Sequence, residues 1–244
     1  MFFAIALGVV MGVVMGLLGG GGSILTVPIL VYVVQFSPKD SIALSLGIVG
    51  LTSLVGTIRH YQLGNTRVKV ILPFAAGAMA GSYLGAQLSV FFSGRFQLML
   101  FAVVMLAAAL LMFFQVRPTP KESVDKPRTV FLVLMGLSVG VLTGLVGVGG
   151  GFLIVPALVL LAGLPMSIAV GCSLPIIALN ALSGFVGYWG KVVIPEVFFI
   201  SFSSASIVGV LAGSQFVSHI PQRQLKKIFS VFLVIMGSYI LFRG

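Results

Sequence analysis

Apolar runs follow one another along almost the whole chain. In the first half they cover residues 2–18, 24–36, 41–58, 70–92 and 96–115, separated by short stretches of glycine, proline or charge, and the same order returns after residue 128. A spanning helix needs roughly 20 mostly apolar residues. The pattern therefore predicts an all-α, polytopic membrane protein with eight main transmembrane helices, or up to ten membrane segments if short broken helices are counted.

The first two runs pose a problem of length. Joined, they would make a helix well beyond the ~30 Å hydrocarbon thickness at about 1.5 Å per residue. Gly19, Gly20, Gly21 and Gly22 stand between them. Glycine is about 1 kcal/mol worse than alanine at a helical position, so four in succession should break the helix. A broken or re-entrant element is expected there, with a short helix beginning near Ile24. The same is expected in the second half, with a helix beginning near Phe152.

The recurrence is a duplication. Shifting the sequence by 128 positions lays residues 1–116 on 129–244 without a gap, and roughly a quarter of the pairs are identical, the self-similarity that has to be sought before any fold is named. Gly12–Pro28 lies over Gly140–Pro156, Ser45-Leu46 over Ser173-Leu174, Gln87 over Gln215 and Arg95 over Arg223. Polar residues keep register with the apolar ones, which shared composition alone would not produce. Residues 1–116 form the first repeat and 129–244 the second. Residues 117–128, with three prolines and six charges, read as a solvated connector.

Basic residues decide how the two repeats face the membrane. Four crossings per repeat make the copies parallel and divide Lys and Arg nine to five between the two sides. Five crossings make them inverted, related by a pseudo-twofold axis, and the division becomes ten to four. Positive charge collects on the cytoplasmic side, which favours the inverted arrangement. The linker is cytoplasmic in both; the termini are external only in the inverted one.

Composition changes the picture at few points. The hydrophobic share is 59% and the charged share 7%, against about 25% charged in soluble domains. The formal charge of +10 sits between apolar runs and forms no stripe of the kind that binds nucleic acid. Four acids, Asp40, Glu122, Asp125 and Glu196, all fall in or beside loops. Without an intramembrane carboxylate, a cation substrate or a carboxylate proton relay is disfavoured, and a small anion is favoured. Neither an acid/base pair nor a metal-ligand cluster is present, and no cofactor is implied.

The candidate chemistry lies in the glycine-rich segments, Gly19, Gly20, Gly21, Gly22 and Ser23 in one copy and Gly147, Gly149, Gly150 and Gly151 in the other. Backbone N–H groups at a helix start are unpaired and carry the positive end of the helix dipole, so they can hold an oxyanion. Close helix packing is the competing role, for which Gly12/Gly16 and Gly140/Gly144 have the right spacing. Pro28 and Pro156 act as helix breakers. Ser45, Thr52, Ser173 and Asn180 either contact substrate or bond to a carbonyl one turn back. Arg59, His60 and Lys191 suggest a cationic vestibule, or loop charge that sets topology.

The doubled motif, Gly16-Leu-Leu-Gly-Gly-Gly-Gly-Ser-Ile-Leu-Thr-Val-Pro28 and Gly144-Leu-Val-Gly-Val-Gly-Gly-Gly-Phe-Leu-Ile-Val-Pro156 with Ala169-Val-Gly-Cys-Ser-Leu174 after it, resembles the TauE/SafE sulfite exporter family, also called the toluene-sulfonate uptake permeases. The resemblance covers nearly the whole chain. It implies transport of sulfite, organosulfonates or related sulfur oxyanions across a prokaryotic cytoplasmic membrane. Ser41-Ile-Ala-Leu-Ser45 departs from its counterpart in the second copy, so symmetric use of the two copies is not implied. The expected function is a secondary transporter of a small anion, with a proton or sodium as the coupling ion. A passive anion channel and a non-transporting scaffold are the alternatives.

Overall fold

The structure is a computed structural model that describes residues 2–114, 129–146, 151–188, 190, 192, 194–216 and 220–243. It is 87% helix, and the described residues contain no strand. Helix α1 spans Phe2–Leu18, and α2 spans Gly21–Pro28 and runs on through a π-helical segment, Ile29–Val33. Helices α3 (Pro38–Gln62), α4 (Val68–Leu88) and α5 (Gly94–Phe114) follow. After residue 128, α6 is Thr129–Val146, α7 Gly151–Leu160, α8 Met166–Tyr188, α9 Glu196–Ser214 and α10 Gln222–Arg243. Among the described residues six of these are long and apolar enough to cross a membrane: α3, α4, α5, α6, α8 and α9. The eight expected from the apolar runs exceed that number because α1 and α10 contribute only shorter apolar stretches, Ile5–Leu18 and Lys227–Phe242.

Local chemistry sets the boundaries. Ser37 caps α3: its hydroxyl accepts from the Asp40 N–H at 3.2 Å and donates to the Asp40 carboxylate at 2.6 Å, with Pro38 at the first helical position, where its missing N–H is no loss. Gly19 ends α1 with φ +66°, the left-handed geometry glycine adopts without a Cβ penalty. The α2 and α7 segments end alike. Val34 N–H reaches back five residues to Ile29 O at 3.0 Å, as Ala162 N–H does to Ala157 O at 3.2 Å. The next residue is left-handed in both, Gln35 at φ 64° and Gly163 at φ +66°. A non-glycine residue is strained there by about 1–2 kcal/mol, so the first copy carries a backbone strain that the second avoids.

Glycine also sets the packing. A Cβ on Gly12 would run into the backbone of Ser206, Gly209 and Val210, and one on Gly16 into Val210, Gly213 and Ser214; from the other side Gly209 and Gly213 meet Val9 and Val13. The backbones of α1 and α9 therefore touch along their length and run parallel. An equivalent pair forms from α4 and α6, where Gly77, Gly81 and Gly85 meet Val133, Leu137 and Val141, and Gly136, Gly140 and Gly144 meet Phe74, Ala78 and Ser82. In lipid there is no hydrophobic drive between helices, and such small-residue contacts are what hold them.

The long helices α3 and α8 cross the middle of the molecule. Gly47 lies against Phe185, Gly50 against Leu182 and Gly56 against Leu174, so these two run antiparallel. Gly47 and Gly56 also meet Phe199 and Val210 of α9, which therefore runs parallel to α3. Ser183 donates to Met79 O at 2.9 Å and Gly187 lies against Ala86, so α4 and α8 run parallel. Helices α1, α3 and α9 thus point one way and α4, α6 and α8 the other.

Candidate functional site

The turn between α1 and α2 folds the chain back on itself. Gly22 lies against Met11 and Met15 of α1, so α2 descends along the helix that preceded it. This hairpin brings its tip to α7. A Cβ on Gly20 would overlap the Gly151 backbone, and one on Gly151 would overlap Gly20. Helix α2 begins at Gly21 and α7 at Gly151. The starts of two helices, the end of each that carries the partial positive charge of the helix dipole, therefore converge on one buried point.

Side chains close around it. Gly19 packs against the Ser173 hydroxyl and Val170 of α8, and Ile177 packs against Gly151. Ser23, fully buried, donates its hydroxyl to Gly20 O at 2.6 Å, while its own N–H bonds to the same carbonyl at 3.2 Å. That carbonyl is satisfied twice over, and the Ser23 N–H is one N–H group at the start of α2 that is already paired.

The other hydroxyls named from sequence are buried and bond within their helices. Ser45 donates to Ile42 O at 2.8 Å, Ser173 to Val170 O at 2.8 Å and Thr52 to Ile48 O at 2.7 Å. Their protons are spent on backbone carbonyls, and toward a ligand each offers oxygen lone pairs unless the rotamer changes. Asn180 donates from Nδ2 to the Thr143 hydroxyl at 2.9 Å, which passes the bond to Gly140 O at 3.0 Å. This links α8 to the glycine face of α6. Thr143 is a member that sequence reading missed, since a lone threonine in a glycine-rich helix carries no signal of its partner.

Arg59 and His60 do not share an environment. Arg59 is half-buried and within 3.4 Å of Gln62 Oε1, whereas His60 is fully buried with Nε2 3.4 Å from Gly16 O. The position equivalent to His60 in the second copy is Tyr188, whose hydroxyl donates to Gly144 O at 3.1 Å. Each side chain thus ties the end of the third run of its copy to the last turn of the first. The 128-residue offset would have paired His60 with Tyr188 from the sequence alone. Pro28 lies at the passage from α-helix to π-helix, and Pro156 lies inside α7. Gly147, Gly149, Gly150 and Lys191 lie outside the described residues.

Residues 4–240 match the family described as Sulfite exporter TauE/SafE. The chain belongs to this family. It is 29% identical over 236 residues to a probable membrane transporter protein of Xylella fastidiosa strain Temecula1, covering 94% of this chain and 90% of that one. It is 25% identical to the probable membrane transporter protein YdhB of Bacillus subtilis, over 93% of this chain and 94% of that one. To the probable membrane transporter protein MJ0441 of Methanocaldococcus jannaschii it is 26% identical, over 97% and 94%. No solved structure matches the chain. Membership of this family, with six apolar helices long enough to span, makes the chain a multi-pass protein of the cell membrane.

Proposed function

We propose that this TauE/SafE member is a secondary transporter of small sulfur-containing anions, sulfite, an organosulfonate or a related oxyanion, working by alternating access around the Gly20–Gly151 meeting point. The observation that carries this reading is the convergence of the α2 and α7 N-termini on that point. Two partial positive charges facing each other in a buried setting repel unless an anion lies between them. A tetrahedral or pyramidal oxyanion can accept from several N–H donors at once, with no buried arginine needed. Gly20 and Gly151 touch in this state, so an anion enters between them only after a rearrangement, which favours a carrier over an open pore.

The directions of the helices support an inverted arrangement of two repeats. Shifted by 128 positions, α1 corresponds to α6, α3 to α8 and α4 to α9, and in each case the two members point opposite ways. An axis in the membrane plane relates such copies and places the ligand near the bilayer centre. In this arrangement Arg59, Arg67, Lys69, Arg223, Lys226 and Lys227 share one side and Lys39, Arg95 and Arg243 the other. By the positive-inside rule the side of Arg59 is cytoplasmic. Epitope tags at both termini are expected to react in intact cells and a tag in the linker only after permeabilisation; cytoplasmic termini would overturn the inverted arrangement.

Binding of the anion is tested by thermal unfolding of the detergent-purified protein with sulfite, sulfate, thiosulfate, methanesulfonate, taurine and chloride. A ligand at about 100 times its Kd stabilises the bound state by about 2.7 kcal/mol. At least one sulfur oxyanion should raise Tm above the chloride control in a saturable way. Equal melting in all six would count against an anion site.

A further inference from the structure

His60 is the one imidazole among the buried polar side chains of the described residues, and its setting is unlike that of a structural histidine. Nε2 faces Gly16 O at 3.4 Å, and Nδ1 is buried with no hydrogen-bond partner. An unsatisfied buried nitrogen is a standing cost. The second copy shows how that cost is avoided, since Tyr188 makes the equivalent bond to Gly144 O with a group that does not titrate near neutral pH. The first copy instead has, at the same place, an imidazole, the side chain whose ordinary pKa lies closest to neutrality.

The charges that face it are few. On its own helix Arg59 is adjacent, and the loop beyond α3 leads to Arg67 and Lys69, both exposed. Helix α1 has no ionisable side chain, α2 has none, and α8 contributes Cys172, which accepts from the Arg67 N–H at 3.2 Å, while Tyr188 in its last turn lies toward the opposite end of α3. The carboxylates Asp40 and Glu196 begin α3 and α9, far from His60 along α3 and at the opposite end of α9 from Gly213 and Gly16. Among the described residues, therefore, no carboxylate neutralises an imidazolium at this site. Two features do favour one: the carbonyl end of α1, which attracts positive charge, and an anion at the glycine bend, three residues beyond Gly16.

We propose that His60 is the proton-binding group of the transport cycle, taking one proton at Nδ1 from the water on the open side when the anion binds and releasing it on the other side when the anion leaves. The inference rests on the anion-transport reading above. Proton and monoanion then cross as a neutral pair. Linkage makes the effect reciprocal, so that the proton raises anion affinity as the anion raises proton affinity. The bond from Nε2 to Gly16 O ties the charge change to the end of α1, so the hairpin tip is held differently in the two protonation states.

The test uses the full chain in proteoliposomes with the membrane potential clamped, labelled methanesulfonate, whose charge is fixed between pH 6 and 8, and labelled sulfite in parallel. Exchange is measured at equal pH and net accumulation under an imposed pH gradient. Wild-type protein should accumulate a monoanion about tenfold per pH unit. His60→Gln and His60→Tyr, which keep a donor for Gly16 O, should still exchange, with a weaker apparent anion affinity that no longer changes between pH 6 and 8, and lose the gradient-driven accumulation. Because the pH gradient redistributes sulfite itself equally for all proteins, the difference between wild type and variant is the readout for both anions. A His60→Gln protein that accumulates like wild type overturns the role, as does loss of exchange in both variants, which would make His60 a strut. Wild-type protein that exchanges neither anion overturns the transport reading itself.

Discussion

Gly20→Ala is expected to stop flux while leaving a folded, monodisperse protein. The added Cβ falls within the backbone of Gly151, so the α1–α2 turn and the start of α7 cannot meet as they do in the wild type. The helix pairs that hold the fold, α1 with α9 and α4 with α6, are not touched by this change. A displacement of about 1 Å at a site that works by geometry can cost about a hundredfold in rate, whereas the strain spread over two short turns costs about 1–3 kcal/mol of stability. Transport assays on protein that elutes and melts near the wild type measure the first effect apart from the second. Gly20→Ala transporting at the wild-type rate would remove this meeting point from the path.

Gly81→Leu should act on the other side of that division. Its Cβ would strike the Leu137 carbonyl, with Val141 N and Gly140 close behind, and the neighbour is helix backbone that cannot rotate away. Separating α4 from α6 removes van der Waals contact and gains nothing from the lipid. A loss of about 3 kcal/mol is expected, read as a lower Tm or as aggregation on extraction. Gly209→Leu, at the equivalent position and against Val9, Gly12 and Val13, should lose about as much. Wild-type melting by either variant would mean that the glycine faces are not in contact.

How far the sequence reveals this molecule differs from one feature to the next. The apolar runs place the helices, and the four glycines after Leu18 announce a break where α1 ends at Leu18 and α2 starts at Gly21. The break comes earlier than Ile24 because the last glycines enter the helix, which backbone packing against Met11 and Met15 permits. The spacing of Gly12 and Gly16 identifies a packing face, since two small residues one turn apart admit a neighbouring backbone whichever helix supplies it. The identity of that neighbour, α9 and not an adjacent helix, is a tertiary fact with no local signal. His60 was the least legible residue. Its neighbours Arg59, Arg67 and Lys69 mark a polar loop, and nothing local announces that the imidazole is buried with Gly16 O of α1 beside it. The hydroxyls illustrate an ambiguity of another kind, because a serine or threonine in a helix can bond backward or outward with equal ease. Ser45, Thr52 and Ser173 take the backward option in this state.

The measurement that tests the central claim most directly is counterflow in proteoliposomes, with labelled sulfite moved against an excess of unlabelled anion on the far side. The account predicts saturable exchange that sulfite and other sulfur oxyanions inhibit, that chloride does not, and that vesicles without protein or with Gly20→Ala lack. Flux of no sulfur anion by folded wild-type protein, or flux that grows linearly with concentration and ignores all competitors, would contradict it.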